Sequence, residues 1–444
     1  MSNLVLKLPF WLKNIVFSLY GIKMAMLRNR GQQSYFKEFR SYEILPEDSK
    51  TDWINQQLRF QLDFARKHVP YYRSYWDSTP DKDHMILSNW PILNKADIRG
   101  NEAAFISDLY QISSLVKVNT SGTTGTPMVF YFDRKSYARW FAIYYFNLLE
   151  KNGINIKKDR WVNIGGRIIC DPNQRVPPFW IHNYPMNQIY MSSYHLSDDN
   201  LRYYINKLEN SGITYIVGYP SSINELAGWI LRNKHALNLH LKAVFTNAEP
   251  LTGLQRENIL QAFKCKVIQT YGSSEFALAA SESSDGSMKI WAQTGVLEVI
   301  DPDENGVGEF LLTGLVNKAM PLIRYKVGDS GKAETNNSIP TVIYKIEGRT
   351  DDMIHSKSGR TIGRLDPIFK KNLKIREVQV VQVKEDHLVF RVVKDEGYSQ
   401  IEEEQLLREA TKRLGDEFEI NFEYVPYIER TKNGKFRAVV SLIQ

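Results

Sequence analysis

The stretch that decides the fold of this 444-residue chain runs Thr120-Ser121-Gly122-Thr123-Thr124-Gly125-Thr126-Pro127. Its glycines let successive backbone N–H groups converge on an anion, and its Ser and Thr hydroxyls add further donors. Short apolar runs precede and follow it, so it joins two predicted strands. We therefore predict a loop that binds a polyphosphate. The alternative is an ordinary turn rich in Ser, Thr and Gly.

Several familiar classes of protein do not fit the sequence. A P-loop NTPase or kinase is disfavoured because Met128 follows Pro127, where a Walker loop would end in Gly-Lys-Ser/Thr. A serine hydrolase is disfavoured because no Gly-x-Ser-x-Gly stretch is present. Cys170 and Cys265 lie far apart without partners at metal-ligand spacing, so neither a disulfide framework nor a cysteine zinc site is expected. A reducing cytoplasm is the expected compartment.

Outward from the loop, short apolar runs alternate with helix-like segments. This alternation predicts βα units around a buried sheet, which is an α/β fold. The predicted strands are Leu115–Val118, Met128–Phe132, Trp161–Ile164, Tyr215–Val217, Ala243–Phe245 and Val267–Tyr271. A capping box formed by Thr252 and Gln255 marks the start of one helix.

Three regions are predicted along the chain. Residues 1–115 form a mostly helical lead-in, and residues 116–349 form the core of a large domain. Residues 350–444 form a small α+β domain with a hairpin, an amphipathic helix at Ile401–Leu414 and a further strand. The segment 347–352 is the expected linker.

The positive charge of the chain is concentrated at its N-terminus. The formal net charge is +7, and residues 1–40 contain seven Lys or Arg against one acid, whereas the charges of residues 350–444 balance. No later stretch concentrates Lys and Arg among aromatic residues, so no nucleic-acid partner is expected. With 43% hydrophobic and 24% charged residues, the composition is globular rather than disordered or coiled-coil.

The basic N-terminus has two interpretations. Leu8–Leu27 is apolar, but Lys13 and other polar residues interrupt it, so it is too short to span a bilayer. No signal-peptide cleavage pattern follows it. One prediction is a peripheral contact of residues 1–40 with the inner face of an anionic membrane. The other is a helix packed on its own domain or on a second subunit, since Lys13 falls between Phe10 and Phe17 on one helical face.

Five further motifs follow the loop in order. They are Asn247-Ala248-Glu249-Pro250, Tyr271-Gly272-Ser273-Ser274-Glu275, Met320–Asp329, Gly348–Asp352 and Asn433–Arg437. With the loop, they resemble the motifs of adenylate-forming enzymes (acyl-CoA synthetases, luciferases and adenylation domains), particularly of the phenylacetate-CoA ligase branch. Residues 1–110 are similar to the lead-in of phenylacetate-CoA-ligase-like proteins encoded with capsule and surface-polysaccharide genes.

This resemblance implies a large adenylate-forming domain, a small mobile C-terminal domain, and ATP as a substrate. The residues expected to bind ATP or AMP are Thr120, Ser121, Gly122, Thr123, Thr124, Gly125, Asn247, Ala248, Glu249, Pro250, Tyr271, Gly272, Ser274, Asp329 and Arg349. Adenylation brings two anions together, so cations are needed. Glu275 would hold Mg²⁺, Lys435 would add positive charge in the transition state, and Asp351 would be the hinge.

The resemblance leaves the substrate and the acceptor open. A small-molecule carboxylate is expected, in a pocket formed by Gly218, Tyr219, Pro220 and Ser273. The stretch from Arg167 to Ile189 departs from the phenylacetate enzymes, which puts an aryl-acetate substrate in doubt. Arg167 or Arg175 would then pair with a polar substrate, and the alternative is that both are ordinary surface arginines. CoA is the acceptor expected from the family, and an amine is the alternative.

A third interpretation is a catalytically silent nucleotide-binding protein. It is disfavoured because Glu275, Asp329 and Lys435 are all present, whereas a decayed enzyme commonly loses one such residue. The oligomeric state is left open between a monomer and a homodimer.

Overall fold

The computed structural model describes residues 3–119, 128–171, 173–334, 339–349, 354–357, 361–362, 365, 368, 374–431 and 434–443. The predicted phosphate loop at 120–127, the predicted hinge residue Asp351 and Asn433 of the lysine motif lie outside these residues. Only the backbone of Arg349 is described.

The described elements alternate between helix and strand after a helical start. The helices are α1 (Asn3–Leu6), α2 (Phe10–Arg28), α3 (Gln32–Glu43), α4 (Glu47–His68), α5 (Pro70–Asp77), α6 (Lys95–Ile98), α7 (Arg134–Tyr144), α8 (Asp198–Glu209), α9 (Pro220–Arg232), α10 (Gly253–Phe263) and α11 (Gln400–Leu414). The strands up to the middle of the chain are β1 (Val116–Asn119), β2 (Val129–Phe132), β3 (Arg160–Gly165), β4 (Trp180–Asn183), β5 (Gln188–Ser192), β6 (Ile213–Gly218), β7 (Ala243–Thr246), β8 (Lys266–Gly272), β9 (Ala279–Glu282) and β10 (Met288–Ile290). The later strands are β11 (Gly295–Ile300), β12 (Gly308–Gly314), β13 (Tyr325–Ala333), β14 (Val342–Arg349), β15 (Ile354–His355), β16 (Thr361–Ile362), β17 (Ile375–Lys384), β18 (His387–Lys394), β19 (Glu419–Tyr424) and β20 (Val439–Ser441).

One long sheet organises the large domain. Its described strands follow the order β11-β12-β13-β14-β10-β9-β8-β7-β6-β3-β5-β4. One part of the sheet is parallel and consists of β5, β3, β6, β7 and β8. Beyond β8 the neighbouring strands pair antiparallel, in the order β8-β9-β10-β14-β13-β12-β11. Helices α8, α9 and α10 bury apolar residues against the parallel part, in one cluster with its strands. This arrangement confirms the predicted α/β fold.

The N-terminal region is helical, as its sequence predicts. Helix α4 buries Leu58, Leu62 and Ala65, which lie on one helical face. It ends at His68 because Val69 precedes a proline and adopts an extended backbone, and Pro70 then begins α5.

The small domain forms a sheet of its own with the order β19-β18-β17-β20. The predicted hairpin is confirmed as β17 and β18, and α11 packs Leu406, Ala410 and Leu414 into the same core. Ser399 and Glu402 form a capping box that fixes the start of α11.

The predicted linker is wrong for its first three residues. Glu347, Gly348 and Arg349 belong to β14 and pair with β13, with Asp329 opposite Arg349. The backbone N–H and C=O groups of β13 need hydrogen-bond partners along the edge that faces β14. Residues 347–349 provide part of these partners before the chain leaves the large domain.

Candidate active site

Three parallel strands bring the predicted motifs to one edge of the large sheet. Strands β6, β7 and β8 end at Gly218, Thr246 and Gly272, and a predicted motif follows each end. Carboxyl ends of parallel strands meet at the same edge, so these motifs are neighbours although they are distant in sequence. A Cβ on Gly218 would lie 2.5 Å from the carbonyl oxygen of Ile164, so β6 approaches β3 this closely only with glycine there.

The predicted adenine and ribose residues contact each other. Tyr271, near the end of β8, donates its hydroxyl to Asp329 Oδ2 at 2.8 Å, although 58 residues separate the two. Asp329 lies in β13 and its register partner is Arg349 of β14. Strand pairing places Asp329 opposite Arg349, whereas Tyr271 reaches Asp329 through a side-chain hydrogen bond, and the roles of these residues in binding stay predictions.

Glu275 is held on a rigid turn. Its side chain is buried, and Oε1 accepts a hydrogen bond of 3.2 Å from the hydroxyl of the buried Tyr325. The next residue, Phe276, has a φ of +55°, which is strained for a bulky side chain. Its ring stacks on Trp140 with 4.8 Å between centroids, and this packing keeps the strained turn in place.

The residues present fit a magnesium ion held largely by substrate oxygens. Within the described part of the chain, no group of three or more His, Cys, Asp or Glu side chains could hold a metal ion. Mg²⁺ bound with nucleotides commonly takes one or two carboxylates, with phosphates and water completing its shell. The single buried carboxylate of Glu275 is consistent with that pattern.

Glu249 contacts both domains. Its Oε2 accepts from the N–H of Ser221 in the first turn of α9 at 3.1 Å, and its Oε1 accepts from the N–H of Phe436 in the small domain at 2.6 Å. Burial raises the pKa of Glu249, against the opposing effect of these two donors. Both carboxylate oxygens are therefore engaged by the protein, and we assign the side chain to holding the lysine motif.

The lysine motif forms a tight turn against the large domain. The N–H of Thr431 donates to Lys435 O at 3.0 Å, and that of Lys435 donates to Thr431 Oγ1 at 3.2 Å. Gly434 has a φ of +69°, and a Cβ there would lie 2.6 Å from Ser193 Oγ and 3.1 Å from the Cα of Gly166. Only glycine allows this approach, so the turn is docked on the end of β3.

An ion-pair cluster also joins the domains. Arg376 of β17 donates to Asp198 at 2.7 and 3.1 Å and to Glu225 at 3.1 Å, and Arg232 also reaches Asp198 at 3.1 Å. Asp198 begins α8, where the positive end of the helix dipole favours a carboxylate. Arg376 gave no signal in the sequence because its partners lie more than 150 residues away.

Buried hydroxyls mark the predicted acyl pocket. Ser273 Oγ and Thr246 Oγ1 are buried and have no hydrogen-bond partner among the described residues, whereas Ser221 Oγ lies beside the carboxylate of Glu249. A buried hydroxyl without a partner costs about 1–3 kcal/mol. Two of them at the carboxyl ends of β7 and β8 indicate a place where a ligand would supply the missing partners. The other predicted pocket residues, Gly218, Tyr219 and Pro220, lie at the same edge.

Arg28 is a half-buried cation that the sequence did not single out, and it has hydrogen-bond partners in Tyr137 and Tyr145. It ends α2, its Cζ lies 4.0 Å from the ring centroid of Phe141, and its Nε is buried without a partner among the described residues. Phe141 packs edge-on to Phe276, which follows Glu275, with 6.0 Å between centroids. No acidic side chain in the described ranges forms an ion pair with Arg28.

The two arginines predicted to meet a polar substrate differ from Arg28. Arg167 is exposed and its guanidinium lies 5.6 Å from the rings of Phe17 and Tyr20 on α2. Arg175 is also exposed. The phosphate loop itself joins β1 to β2, which pair antiparallel, and its own contacts are outside the described residues.

Comparison with known proteins gives one whole-chain relative and several partial ones. The family model described as CapK C-terminal domain matches residues 354–442. Protein CapK of Staphylococcus aureus is 30% identical over 453 residues, which cover 98% of each chain. Phenylacetate-coenzyme A ligase of Pseudomonas putida is 25% identical over 324 residues, covering 67% of this chain and 70% of that protein.

Solved structures share the fold at low identity. A 2-hydroxyisobutyryl-CoA ligase in the postadenylation state, in complex with 2-HIB-AMP, superposes with a TM-score of 0.69 at 20% identity, covering 89% of this chain and 90% of that one. The same ligase with 2-HIB-AMP and CoA in the thioesterification state gives a TM-score of 0.53 at equal coverage and identity.

Proposed function

Since this chain belongs to the family of protein CapK, in the phenylacetate-CoA-ligase-like branch of the adenylate-forming enzymes, we propose that it is a ligase that activates a small carboxylic acid with ATP. The carboxylate would attack the α-phosphate, so that acyl-AMP forms and pyrophosphate leaves. An acceptor would then take the acyl group and release AMP.

One observation carries this proposal: the lysine turn of the small domain is docked on the edge of the sheet where the predicted nucleotide residues meet. Glu249 joins the two by accepting hydrogen bonds from Ser221 and Phe436. The carboxylate and the phosphate repel each other, so a positive charge brought between them lowers the barrier. Lys435 provides a compact charge on a long stem, suited to that position.

The other residues would bind and orient the nucleotide. Tyr271 offers a flat ring for the adenine, and Asp329 offers carboxylate oxygens to the ribose hydroxyls. Glu275 would hold Mg²⁺, which when bound offsets charge on the phosphate oxygens. The phosphate loop at 120–127, the hinge at Asp351 and the contact of Arg349 with the ribose are part of the same proposal, carried by the motif resemblance.

The acceptor we propose is CoA, since CoA ligases are named among the relatives and the structural neighbours. An amine acceptor, giving an amide on an amino sugar or amino acid, is the alternative. The resemblance to CapK and to proteins of polysaccharide loci supports a role in surface-polysaccharide synthesis. We also propose a cytoplasmic protein, monomeric or homodimeric, with peripheral membrane contact through residues 1–40.

The substrate we propose is an acid that carries a second polar or anionic group. The stretch from Arg167 to Ile189, which departs from the phenylacetate enzymes, supports this proposal.

The experiment that tests the function is an ATP–pyrophosphate exchange screen over monocarboxylic, dicarboxylic and hydroxylated acids. Exchange that depends on one class of acid would support the ligase, and mass spectrometry with CoA or amines would then identify the product. ATP binding without exchange for any acid would support the silent nucleotide-binding protein.

A further inference from the structure

Helix α2 is fixed to the large domain through one face. Phe17 and Met24 are buried on this face, and Asn14 Oδ1 accepts the N–H of His182 at 2.8 Å. Gly21 lies so close to β4 that a Cβ there would be 1.9 Å from Asn183 Oδ1. Lys13 is buried on the same side, so it does not interrupt the outward face as its sequence position suggested.

The outward face of α2 is entirely apolar along its centre. Its exposed side chains, spaced by four, four, three and four residues, are Trp11 (61% exposed), Ile15 (48%), Leu19 (62%), Ile22 (41%) and Met26 (73%). This spacing keeps all five on one stripe of a helix. At 1.5 Å per residue the stripe is about 22 Å long. An exposed apolar stripe of this length indicates a contact with another surface.

Basic side chains flank the stripe. Lys7, Lys23 and Arg30 are exposed, and none of them forms an ion pair with another described residue. They belong to the first 40 residues, which carry six of the seven excess positive charges of the chain. The surface that covers this helix is therefore expected to be apolar in its centre and negatively charged around it.

We propose that the outward face of α2 binds an anionic lipid bilayer, with the helix lying in the plane of the interface. A helix with Trp and aliphatic residues on one face and Lys or Arg beside it is suited to the boundary between headgroups and acyl chains. No helix among the described residues combines the length and apolar character needed to cross a bilayer. A symmetric contact with a second copy would set the same positive charges against each other.

This inference gives the proposed peripheral location a defined surface, and vesicle binding is measured without any ligation step, so either proposal can fail alone. The full-length protein is floated with vesicles of 30% phosphatidylglycerol in phosphatidylcholine, and with phosphatidylcholine alone. We expect binding to the anionic vesicles that weakens as salt is raised. The double variant Ile15→Glu/Leu19→Glu is expected to bind at least 10-fold more weakly.

Two further variants complete the test, one as a matched control and one that removes positive charge. Ile401→Glu/Leu407→Glu changes exposed apolar residues of α11 in the same way, and it is expected to bind vesicles like the wild type. Lys7→Gln/Lys23→Gln keeps the apolar stripe and is expected to reduce binding and its salt dependence. Thermal melts and carboxylate-dependent exchange without vesicles check that all three fold.

The proposal is overturned if the folded wild type does not bind anionic vesicles, or if the α2 and α11 variants bind equally well. It is also overturned if light scattering shows a dimer that Ile15→Glu/Leu19→Glu converts to a monomer, because the stripe would then be a contact between two copies.

Discussion

The two halves of the candidate site are held in different ways. Tyr271, Glu275 and Asp329 stand on one sheet or on the turn after it, supported by strand pairing and by the packing of Phe276 on Trp140. The turn with Lys435 is held on the large domain by polar contacts through Glu249 and Arg376 and by the close approach of Gly434. A hydrogen bond to a charged group is worth about 1.5–3 kcal/mol. We therefore expect that the second half could leave without disturbing the first.

This difference indicates that the two halves of the site act in different steps of the reaction, which we call the division between the halves. The sheet-borne half would stay assembled through both steps of the reaction, and the lysine turn would act in the first step and then move away. A small set of polar contacts at a domain boundary suits a motion that must be reversible. The predictions below test this division, beginning with the largest expected effect.

Removing the positive charge of Lys435 is expected to have the greatest effect. Lys435→Ala should lower ATP–pyrophosphate exchange about 10³-fold, as the loss of a transition-state charge does elsewhere. Acyl transfer from synthetic acyl-AMP to the acceptor should change little. Lys412→Ala, on the exposed face of α11, is the matched control. Equal losses in both half-reactions would contradict the division.

A change at Glu275, in the half of the site that stands on the sheet, is expected to affect nucleotide binding and the metal requirement. Glu275→Gln should lower exchange about 10²-fold and raise the Mg²⁺ concentration needed for half-maximal rate, because the amide carries no charge. Titration of Mg²⁺ against exchange rate measures this. Glu304→Gln, an exposed acid, should behave as the wild type. An unchanged Mg²⁺ requirement in Glu275→Gln would remove the metal role.

Glu249→Gln tests the contact between the halves. It should lower exchange about 10-fold and leave transfer from acyl-AMP close to wild type, since the amide keeps its shape but loses the charge that holds the Phe436 N–H. Burial raises the pKa of Glu249, so its carboxylate takes up a proton at a higher pH than an ordinary Glu.

The raised pKa of Glu249 determines how the rate of ATP–pyrophosphate exchange depends on pH. As the pH falls through the raised pKa, the charge is lost and docking of the lysine turn weakens, so exchange falls on the acid side. Glu249→Gln does not titrate and should lack this acid limb. An identical acid limb in the two proteins would show that another group is responsible.

Weakening the ion pairs is expected to have the smallest effect. Arg376→Ala removes the contact with the exposed Asp198, which keeps Arg232 as a partner, and the contact with the buried Glu225, and we expect exchange to fall only about 2–5-fold. The loss should shrink at high salt, where these pairs are screened in the wild type as well. Arg391→Ala breaks a pair inside the small domain and is the control. A larger loss in acyl transfer than in exchange would contradict the arrangement.

Much of the fold could be predicted because its signals are local. The alternation of apolar runs predicts β3, β6, β7 and β8, and the pair Thr252 and Gln255 predicts the start of α10. The linker prediction failed at Glu347 because the pairing of β14 with β13 is decided by a strand elsewhere in the chain.

The candidate site, like the fold, could be predicted from the sequence only in part. The motifs name Tyr271, Glu275, Asp329 and Lys435 as chemistry-bearing residues, but β8 and β13 are not neighbouring strands, so only the folded sheet shows that Tyr271 contacts Asp329. The contact of Glu249 with Phe436 could not be predicted, because hydrogen bonds between domains leave no pattern along the chain. Arg28 was likewise hidden, since a basic residue at a helix end is ordinarily solvated.

The sequence alone determined the family, the order of the motifs and the class of chemistry, because these depend on residue types at fixed spacings. The tertiary structure decided which face of α2 is outward. The sequence placed Lys13 among the aromatic residues of the helix, whereas contact with β4 buries it and leaves Trp11, Leu19 and Met26 exposed. The physical reason is that helical periodicity defines faces, and only packing against neighbouring elements determines which of them is covered.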